Sequence, residues 1–280
     1  MTIDTIDAAS PERFVRDYYT PRRPVKITGV LDRWPALGKW SFDFLAARGA
    51  DVRVDVEVGD VLTEATVRQS WDFAAYVRAI AGGRLSDDSR RVPYLSTFPL
   101  LEYFPELSAD IGSTPWPIRH CFWKAFLGPA GTFSGLHYDR SHGLLSQIRG
   151  RKRVVVYPRE AWADMYPSRK YDAGSAVSQV DVRQVDEQRW PRFRQTRGAE
   201  TLLEPGEMLF IPRNCPHHVL SLEPSISLSC FGRTTAETVL LEPHDRVLEM
   251  LHRLGLYRRG CCTCHSAASR RSRSVRASSP

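Results

Sequence analysis

The chain has 280 residues, of which 42% are apolar, enough for the core of one large or two small domains. No uninterrupted apolar stretch approaches a membrane span, and the first thirty residues have neither a basic start nor an apolar run, so the sequence predicts a cytoplasmic protein without membrane segment or signal peptide. The formal net charge of +7 by itself suggests a nucleic-acid partner, but the positions of the charges along the chain weaken this interpretation.

The excess of basic residues is confined to the C-terminal segment 258–280. This segment holds six arginines and no acidic residue, and subtracting six from 39 leaves 33 basic against 32 acidic residues in the rest. It is rich in serine and poor in apolar residues, so we predict a disordered, solvated tail in preference to a nucleic-acid or membrane contact. Cys261, Cys262, Cys264 and His265 form one cluster without a second pair, a weak zinc signal. The six cysteines of the chain show no spaced framework, which favours reduced thiols.

The first third of the chain mixes helix and strand signals. Residues 24–29 and 52–58 have the character of short strands. Ser41 suits the N-cap of a short helix, and residues 70–82 have an amphipathic helical pattern that ends in a glycine pair. The sequence therefore predicts an α/β elaboration ahead of the main domain.

From residue 119 onward the pattern changes to short strands separated by glycine and proline. Eight such strands predict a mainly β fold, either a jelly roll or a closed barrel. Residues 158–198 interrupt the series with polar, aromatic and proline-rich sequence, which predicts a long insertion on the rim. The predicted strands are 119–127, 133–138, 144–149, 152–157, 201–204, 207–211, 217–222 and 225–232.

The sequence after the last strand has a helical pattern. Residues 237–255 have an apolar side, and we expect a break near Pro243. The apolar side can pack on the barrel or on a second subunit, so a homodimer through 237–255 is one of two alternatives. We divide the chain into a domain over 1–235 with its β core at about 119–235, a C-terminal helical segment over 236–257, and the tail.

Two histidines and one aspartate form the strongest chemical signal. His137 and Asp139 are two residues apart on a predicted strand and therefore point to the same side, and His217 follows eighty positions later. Two imidazoles and one carboxylate can bind one face of an octahedral Fe(II) and leave the other face open. The motif alone is not specific, because a hydrogen-bonded His–Asp pair at a strand end has the same pattern. His217 and His218 point to opposite strand faces, so only one can be a ligand, and chemistry alone leaves the choice open.

Residues 123–158, from Trp-Lys-Ala-Phe-Leu-Gly to Val-Val-Val-Tyr-Pro, resemble the Jumonji C, cupin-like hydroxylases. Within that family they are similar to the asparaginyl and arginyl protein hydroxylase branch. The resemblance continues in the motifs at 178–181, 205–212 and 217–219, and it covers about residues 20–235. It implies a double-stranded β-helix and makes residues 1–235 a catalytic domain.

The resemblance implies an Fe(II)- and 2-oxoglutarate-dependent dioxygenase. In the family's pattern the first of the two adjacent histidines is the ligand, so the implied metal site is His137, Asp139 and His217. Such an enzyme converts 2-oxoglutarate and O2 to succinate and CO2 while it hydroxylates a C–H bond. The expected substrate is a protein, a peptide or a small amino-acid-like molecule, whereas the neutral body of the chain and the absence of histone-reader modules disfavour lysine demethylation. A tRNA-modifying hydroxylase and a non-catalytic cupin-like scaffold are the alternatives.

The resemblance also implies which residues bind the far carboxylate of 2-oxoglutarate. Lys152 corresponds to the family's carboxylate-binding lysine, and Ser134 and Tyr94 correspond to its hydroxyl donors. Ser229 stands at a further position that lines the pocket. Alternation places Lys152 on the opposite strand face from its two arginine neighbours, where a buried amine needs a negative partner.

Two features leave the details of this pocket open. Relatives have an asparagine near the co-substrate where this chain has Gly143, and we hypothesise that His142 beside it, or a water molecule, takes its place. Phe231 stands where relatives often have a tryptophan. The aromatic residues of the insertion either line a substrate rim or pack the insertion down; they are Trp162, Tyr166, Tyr171, Trp190 and Phe193.

Overall fold

The fold is described here from a computed structural model. It describes residues 2–7, 11–59, 67–83, 85, 88, 91–112, 114, 120–258 and 262. The strands are β1 (Asp4–Asp7), β2 (Val25–Thr28), β3 (Arg53–Val58), β4 (Val67–Asp72), β5 (Pro93–Phe98), β6 (His120–Gly128), β7 (Phe133–Asp139), β8 (His142–Arg149), β9 (Lys152–Val156), β10 (Ser175–Val177), β11 (Ala199–Leu203), β12 (Met208–Ile211), β13 (His217–Ser221) and β14 (Ser225–Arg233). The α-helices are α1 (Pro11–Phe14), α2 (Pro35–Lys39), α3 (Phe42–Ala46), α4 (Phe73–Ala81), α5 (Leu100–Tyr103) and α6 (Thr235–Arg253).

Two sheets form a cupin-like jelly roll. In the described part of the chain, nine strands form a mixed sheet in the order β1-β2-β12-β8-β14-β6-β5-β3-β4, and five form an antiparallel sheet in the order β10-β7-β13-β9-β11. The eight strands predicted after residue 119 are β6 to β9 and β11 to β14, and they supply four neighbouring strands to each sheet. The predicted mainly β jelly roll is therefore confirmed.

The N-terminal region extends the larger sheet at both edges and packs helices against it. The hydroxyl of Ser41 accepts a hydrogen bond from the Phe44 N–H at 3.1 Å, as expected of the N-cap of α3. The helix predicted over 70–82 is wrong at its start, because residues 70–72 belong to β4 and pair with β3. The chain turns at Phe73, whose N–H bonds to the Val52 carbonyl at 2.8 Å, and α4 begins there.

Helix α6 lies two residues earlier than the predicted 237–255, and it differs from its prediction at Pro243. It runs without a break from Thr235 to Arg253 with Pro243 inside it. Proline cannot donate to the carbonyl four residues earlier, but Val239 is 72% exposed, so water can bond to that carbonyl and the helix continues. The apolar side chains that α6 exposes are Val239, Leu240, Val247 and Met250. The homodimer through 237–255 stays a prediction, which analytical ultracentrifugation can test.

The structure also bears on the predicted absence of a membrane segment and on the predicted tail. Among the described helices, none combines the length and apolar content that a membrane crossing requires. The cytoplasmic location stays a prediction. The prediction of a disordered tail, and the cluster around Cys261, fall mainly on residues outside the described ranges.

The turn between β8 and β9 depends on a glycine. Gly150 has φ of 70°, and a Cβ built on it would lie 2.2 Å from the Pro224 carbonyl oxygen. We expect Gly150→Ala to lower the free energy of unfolding by about 2–4 kcal/mol, measured by urea denaturation. Gly38→Ala is the matched control: a Cβ at Gly38 meets nothing within 4 Å, so this helical position should tolerate alanine. Equal stabilities of the two variants would contradict the expectation.

Candidate metal and co-substrate site

A cavity of about 310 Å³ opens between the two sheets. Strands β7, β9 and β13 of the smaller sheet line one wall, and β6, β8 and β14 of the larger sheet line the other. The seven residues proposed to bind the metal or the co-substrate border this cavity: Tyr94, Ser134, His137, Asp139, Lys152, His217 and Ser229. The fold therefore brings together positions that are up to 135 residues apart in the sequence.

Three potential metal ligands converge at one place in the cavity. His137 and Asp139 lie on β7, and His217 lies directly opposite His137 on β13. One ligand atom from each residue can be chosen so that all three lie within 4.8 Å of one another. The carboxylate of Asp139 is 3.9 Å from His137 Nε2 and 3.7 Å from His217 Nε2. This spacing suits three donors that surround one cation.

Backbone carbonyls fix the tautomers of both histidines. Nδ1 of His137 is 2.7 Å from the Gly135 carbonyl, and Nδ1 of His217 is 3.0 Å from the Cys215 carbonyl. A carbonyl oxygen can only accept, so each Nδ1 has the proton and each Nε2 presents its lone pair to the cavity. Both rings are therefore oriented as metal-binding histidines usually are.

Burial disfavours charge on the isolated ligands. It raises the pKa of Asp139 to about 6, although the nearby His137 acts in the opposite direction, and it holds the pKa of His217 well below its usual value. In the described part of the chain, the ion-pair partners of Asp139 are these two histidines and no lysine or arginine. Neutral imidazoles and a carboxylate without a cationic partner fit a divalent metal ion.

His218, the other candidate ligand, does not border the cavity. Its ring packs against Phe133 and Tyr157, with centroid distances of 5.8 and 6.1 Å. Strand alternation thus separates the adjacent histidines, as expected, and His217 is the one that faces the other two ligands.

Ser134 reaches the cavity because β7 contains a bulge. His217 pairs with His137 and Val219 pairs with Ser134, so two steps along β13 match three along β7. The extra residue turns Ser134 back to the same side as His137, which strict alternation would not allow. Burial raises the pKa of the Tyr94 phenol, which comes from the opposite sheet, and the Ser134 hydroxyl acts on that pKa in the opposite direction.

Lys152 is the most deeply buried charged side chain in the cavity wall. It is 1% exposed, and its Nζ donates to the Tyr94 hydroxyl at 3.3 Å. Its neighbours Arg151 and Arg153 point outward, where they pair with glutamates on the surface. Among the described residues Lys152 forms no salt bridge, and burial lowers its pKa to about 7. A buried amine that lacks an acid is suited to an anionic ligand.

The hypothesis that His142 replaces the family's asparagine is wrong. Gly143 faces the cavity, so its neighbour on the strand faces away: the His142 ring stacks on Phe210 at 5.6 Å, and its Nε2 is 3.2 Å from a Glu237 carboxylate oxygen. A Cβ at Gly143 would meet Phe231 at 3.5 Å, an ordinary contact. A Cβ therefore fits at the position where the family has an asparagine.

The aromatic residues of the insertion pack it against the jelly roll. Trp190 and Phe193 are each 9% exposed and join a cluster with Leu136 and Tyr157. Trp162, Tyr166 and Tyr171 pack against other rings, and none of the five borders the cavity. The insertion contributes Asp172, Gly174 and Ser175 to the cavity lining instead.

Charged residues that sequence reasoning missed also line the cavity. Glu57 and Arg68 form an ion pair at 3.2 Å across β3 and β4, and Ser96 donates to Glu57 at 2.6 Å. Lys124 and Asp172 line it from β6 and the insertion. They belong to separate segments and form no local motif, so only the folded chain shows that they share a surface.

Comparison with known proteins agrees with this geometry. The profile of a family described as a cupin-like domain matches residues 11–236. The chain is 34% identical to lysine-specific demethylase 8 of Xenopus tropicalis over 238 residues, which cover 81% of this chain and 52% of that protein. It is 34% identical to lysine-specific demethylase JMJ30 of Arabidopsis thaliana over 82% of this chain and 54% of that protein. It is 28% identical to tRNA wybutosine-synthesizing protein 5 of Gallus gallus over 82% of this chain and 77% of that protein.

The chain thus spans about half the length of the two demethylases. The matched region contains strands β2 to β14 and every residue of the candidate site. The match to the family profile, the jelly-roll fold and the cluster of two histidines with an aspartate agree with one another. The chain therefore belongs to the cupin-like, Jumonji C family.

Proposed function

We propose that the protein is an Fe(II)- and 2-oxoglutarate-dependent dioxygenase. The observation that supports this most directly is that one cavity contains both a facial set of metal donors and a buried amine without an acid. A protein that held only a metal would not need to bury Lys152, since an uncompensated buried amine costs stability.

The residues fit both groups. His137 and His217 would bind Fe(II) through Nε2, and Asp139 through its carboxylate. Bound iron would hold the 2-oxo-acid end of 2-oxoglutarate and would activate O2 for the oxidative decarboxylation of 2-oxoglutarate. The chain's own residues bind and orient: Lys152 pairs with the far carboxylate, the hydroxyls of Tyr94 and Ser134 donate to it, and Ser229 lines the same wall.

We propose that the reaction hydroxylates a C–H bond of a protein, a peptide or an amino acid. Two alternatives are favoured by the names of similar proteins. Demethylation of lysine is suggested by the relatives named demethylases, and modification of tRNA is suggested by the wybutosine-synthesizing protein. The products separate them: demethylation releases formaldehyde, whereas stable hydroxylation adds one oxygen to a peptide or to a tRNA nucleoside.

The test is the conversion of 2-oxoglutarate to succinate and CO2 with Fe(II), O2 and ascorbate. We expect turnover above background without added substrate, and faster turnover with the correct peptide. Chelation of iron should abolish the conversion. If the protein binds Fe(II) and 2-oxoglutarate but produces no succinate with any substrate tested, the result would support the alternative of a non-catalytic scaffold.

The affinity for 2-oxoglutarate should depend on pH through Lys152. Burial lowers the pKa of Lys152 to about 7, and an arriving carboxylate raises it again, because the opposite charge favours the protonated amine. Binding above about pH 7 therefore takes up a proton, so the affinity should fall up to tenfold per pH unit above 7 and level off below it. Calorimetry in two buffers of different ionisation enthalpy measures both effects. The same affinity from about pH 6 to 9 would contradict the expectation.

A further inference from the structure

Two cysteines lie on neighbouring strands behind the cavity wall. The register of β6 and β14 pairs Cys121 with Gly232 and Cys230 with Trp123. Cys121 and Cys230 are therefore diagonal neighbours on the same face of the sheet. The two thiols interact, since each one shifts the pKa of the other. The fold thus holds together two thiols that are 109 positions apart in the sequence.

The two thiols have different surroundings. Cys121 is exposed, whereas Cys230 is completely buried. The neighbouring Cys230 thiol lowers the pKa of Cys121, and the Cys121 thiol together with burial raises the pKa of Cys230. An exposed thiol with a lowered pKa reacts more readily with oxidants, whereas its buried partner with a raised pKa favours the protonated form.

We propose that Cys121 and Cys230 are a redox-active dithiol that a hydroperoxide converts to a disulfide. The Cys121 thiolate attacks a peroxide oxygen, the O–O bond breaks, and Cys121 becomes a sulfenic acid while an alcohol or water leaves after protonation. The Cys230 sulfur then attacks the Cys121 sulfur; an S–S bond forms, and the hydroxyl leaves as water with the Cys230 proton. Two electrons pass from the thiols to the peroxide, and a reducing thiol reverses the change.

Closure of this disulfide would act on the cavity. Phe122 and Phe231 are next to the cysteines, project from the opposite face of the sheet, line the cavity and stack at a centroid distance of 5.6 Å. Diagonal positions in antiparallel strands are about 7–8 Å apart, whereas a disulfide requires Cα atoms within roughly 4.4–6.8 Å. The bridge would therefore slide β6 and β14 along one another and shift both rings. We expect weaker 2-oxoglutarate binding, a consequence that rests on the proposed function.

Peptide mapping after treatment with hydrogen peroxide tests the dithiol itself. The full-length protein should yield a Cys121–Cys230 cross-linked peptide that dithiothreitol removes. Cys121→Ser, a change at an exposed position, should yield none, and Cys230→Ala should stop at a sulfenic acid on Cys121 that dimedone traps. As a matched control, serine at Cys261, Cys262 and Cys264 together should leave the cross-link intact. No cross-link, or a cross-link from Cys121 to another cysteine, would overturn the proposal.

The affinity for 2-oxoglutarate before and after oxidation tests the link to the cavity. We expect the Kd to rise roughly threefold or more in the wild type and to stay constant in Cys121→Ser. Unchanged affinity in the bridged protein would overturn the link. If the reduced protein does not bind 2-oxoglutarate at all, the proposed function fails, and the peptide map still decides whether the dithiol exists.

Discussion

Replacing Lys152 with methionine is expected to abolish 2-oxoglutarate binding and, at the same time, to stabilise the protein without ligand. The amine is 1% exposed, and among the described residues its polar contact is the Tyr94 hydroxyl at 3.3 Å. Removing one partner of a buried ion pair costs about 3–5 kcal/mol, which corresponds to an increase in Kd of roughly 150- to 5,000-fold. Methionine fills similar space without a charge, so the ligand-free protein should gain about 1–4 kcal/mol.

The gain in stability has a pH dependence of known sign. Because burial lowers the pKa of Lys152 in the folded state, the unfolded chain binds more protons between about pH 7 and the ordinary lysine pKa. The loss of stability caused by burying the charged amine is therefore complete below pH 7. It disappears as the pH rises from about 7 to the ordinary lysine pKa. Lys152→Met should stabilise most at or below neutral pH and least in alkaline buffer, as measured by thermal unfolding.

Arg153→Met is the matched control for this experiment. Arg153 is the next residue on β9, faces outward and pairs with Glu200 at 3.7 Å. An exposed ion pair contributes at most about 1 kcal/mol, so this variant should keep the wild-type affinity for 2-oxoglutarate. Tight 2-oxoglutarate binding by Lys152→Met, or an equal loss in both variants, would show that the amine does not bind the co-substrate.

Replacing His137 with alanine is expected to remove the bound metal and reduce succinate production to background. The Nε2 lone pair of His137 is one of three donors that converge within 4.8 Å, and two remaining donors hold iron far more weakly. We expect at least about 100-fold weaker metal binding. Metal content by mass spectrometry and succinate production measure the two effects separately.

Tyr138→Phe is the control for the metal site. Tyr138 lies between the two ligands on β7 but faces the other side, where its ring packs edge-on against Trp162 at 4.7 Å. Loss of its hydroxyl should leave the metal content and the turnover at wild-type levels. Full succinate production by His137→Ala would contradict the metal assignment.

Strand alternation made part of the candidate site predictable from the sequence. The two-residue spacing of His137 and Asp139 places both on one side of β7, and the same rule turns Lys152 away from its arginine neighbours. The same rule applies to His142. If Gly143 faces the cavity, the adjacent His142 must face the core, and this orientation could have been predicted from the sequence.

Other features depend on partners that are distant in the sequence. Ser134 lines the cavity only because β7 has a bulge opposite Val219, and no local pattern reveals the pairing. The start of α4 is displaced to Phe73 because β4 pairs with β3. Tertiary contacts of this kind override local propensity, which explains why helix ends were predicted less well than the strands of the core.

The most direct test of the account is the affinity for 2-oxoglutarate, measured anaerobically with and without Fe(II). If the metal and the amine bind opposite ends of one molecule, each should strengthen binding at the other site. We expect Fe(II) to tighten 2-oxoglutarate binding roughly tenfold or more in the wild type and to have no effect in His137→Ala. The same affinity with and without Fe(II) in the wild type would contradict it.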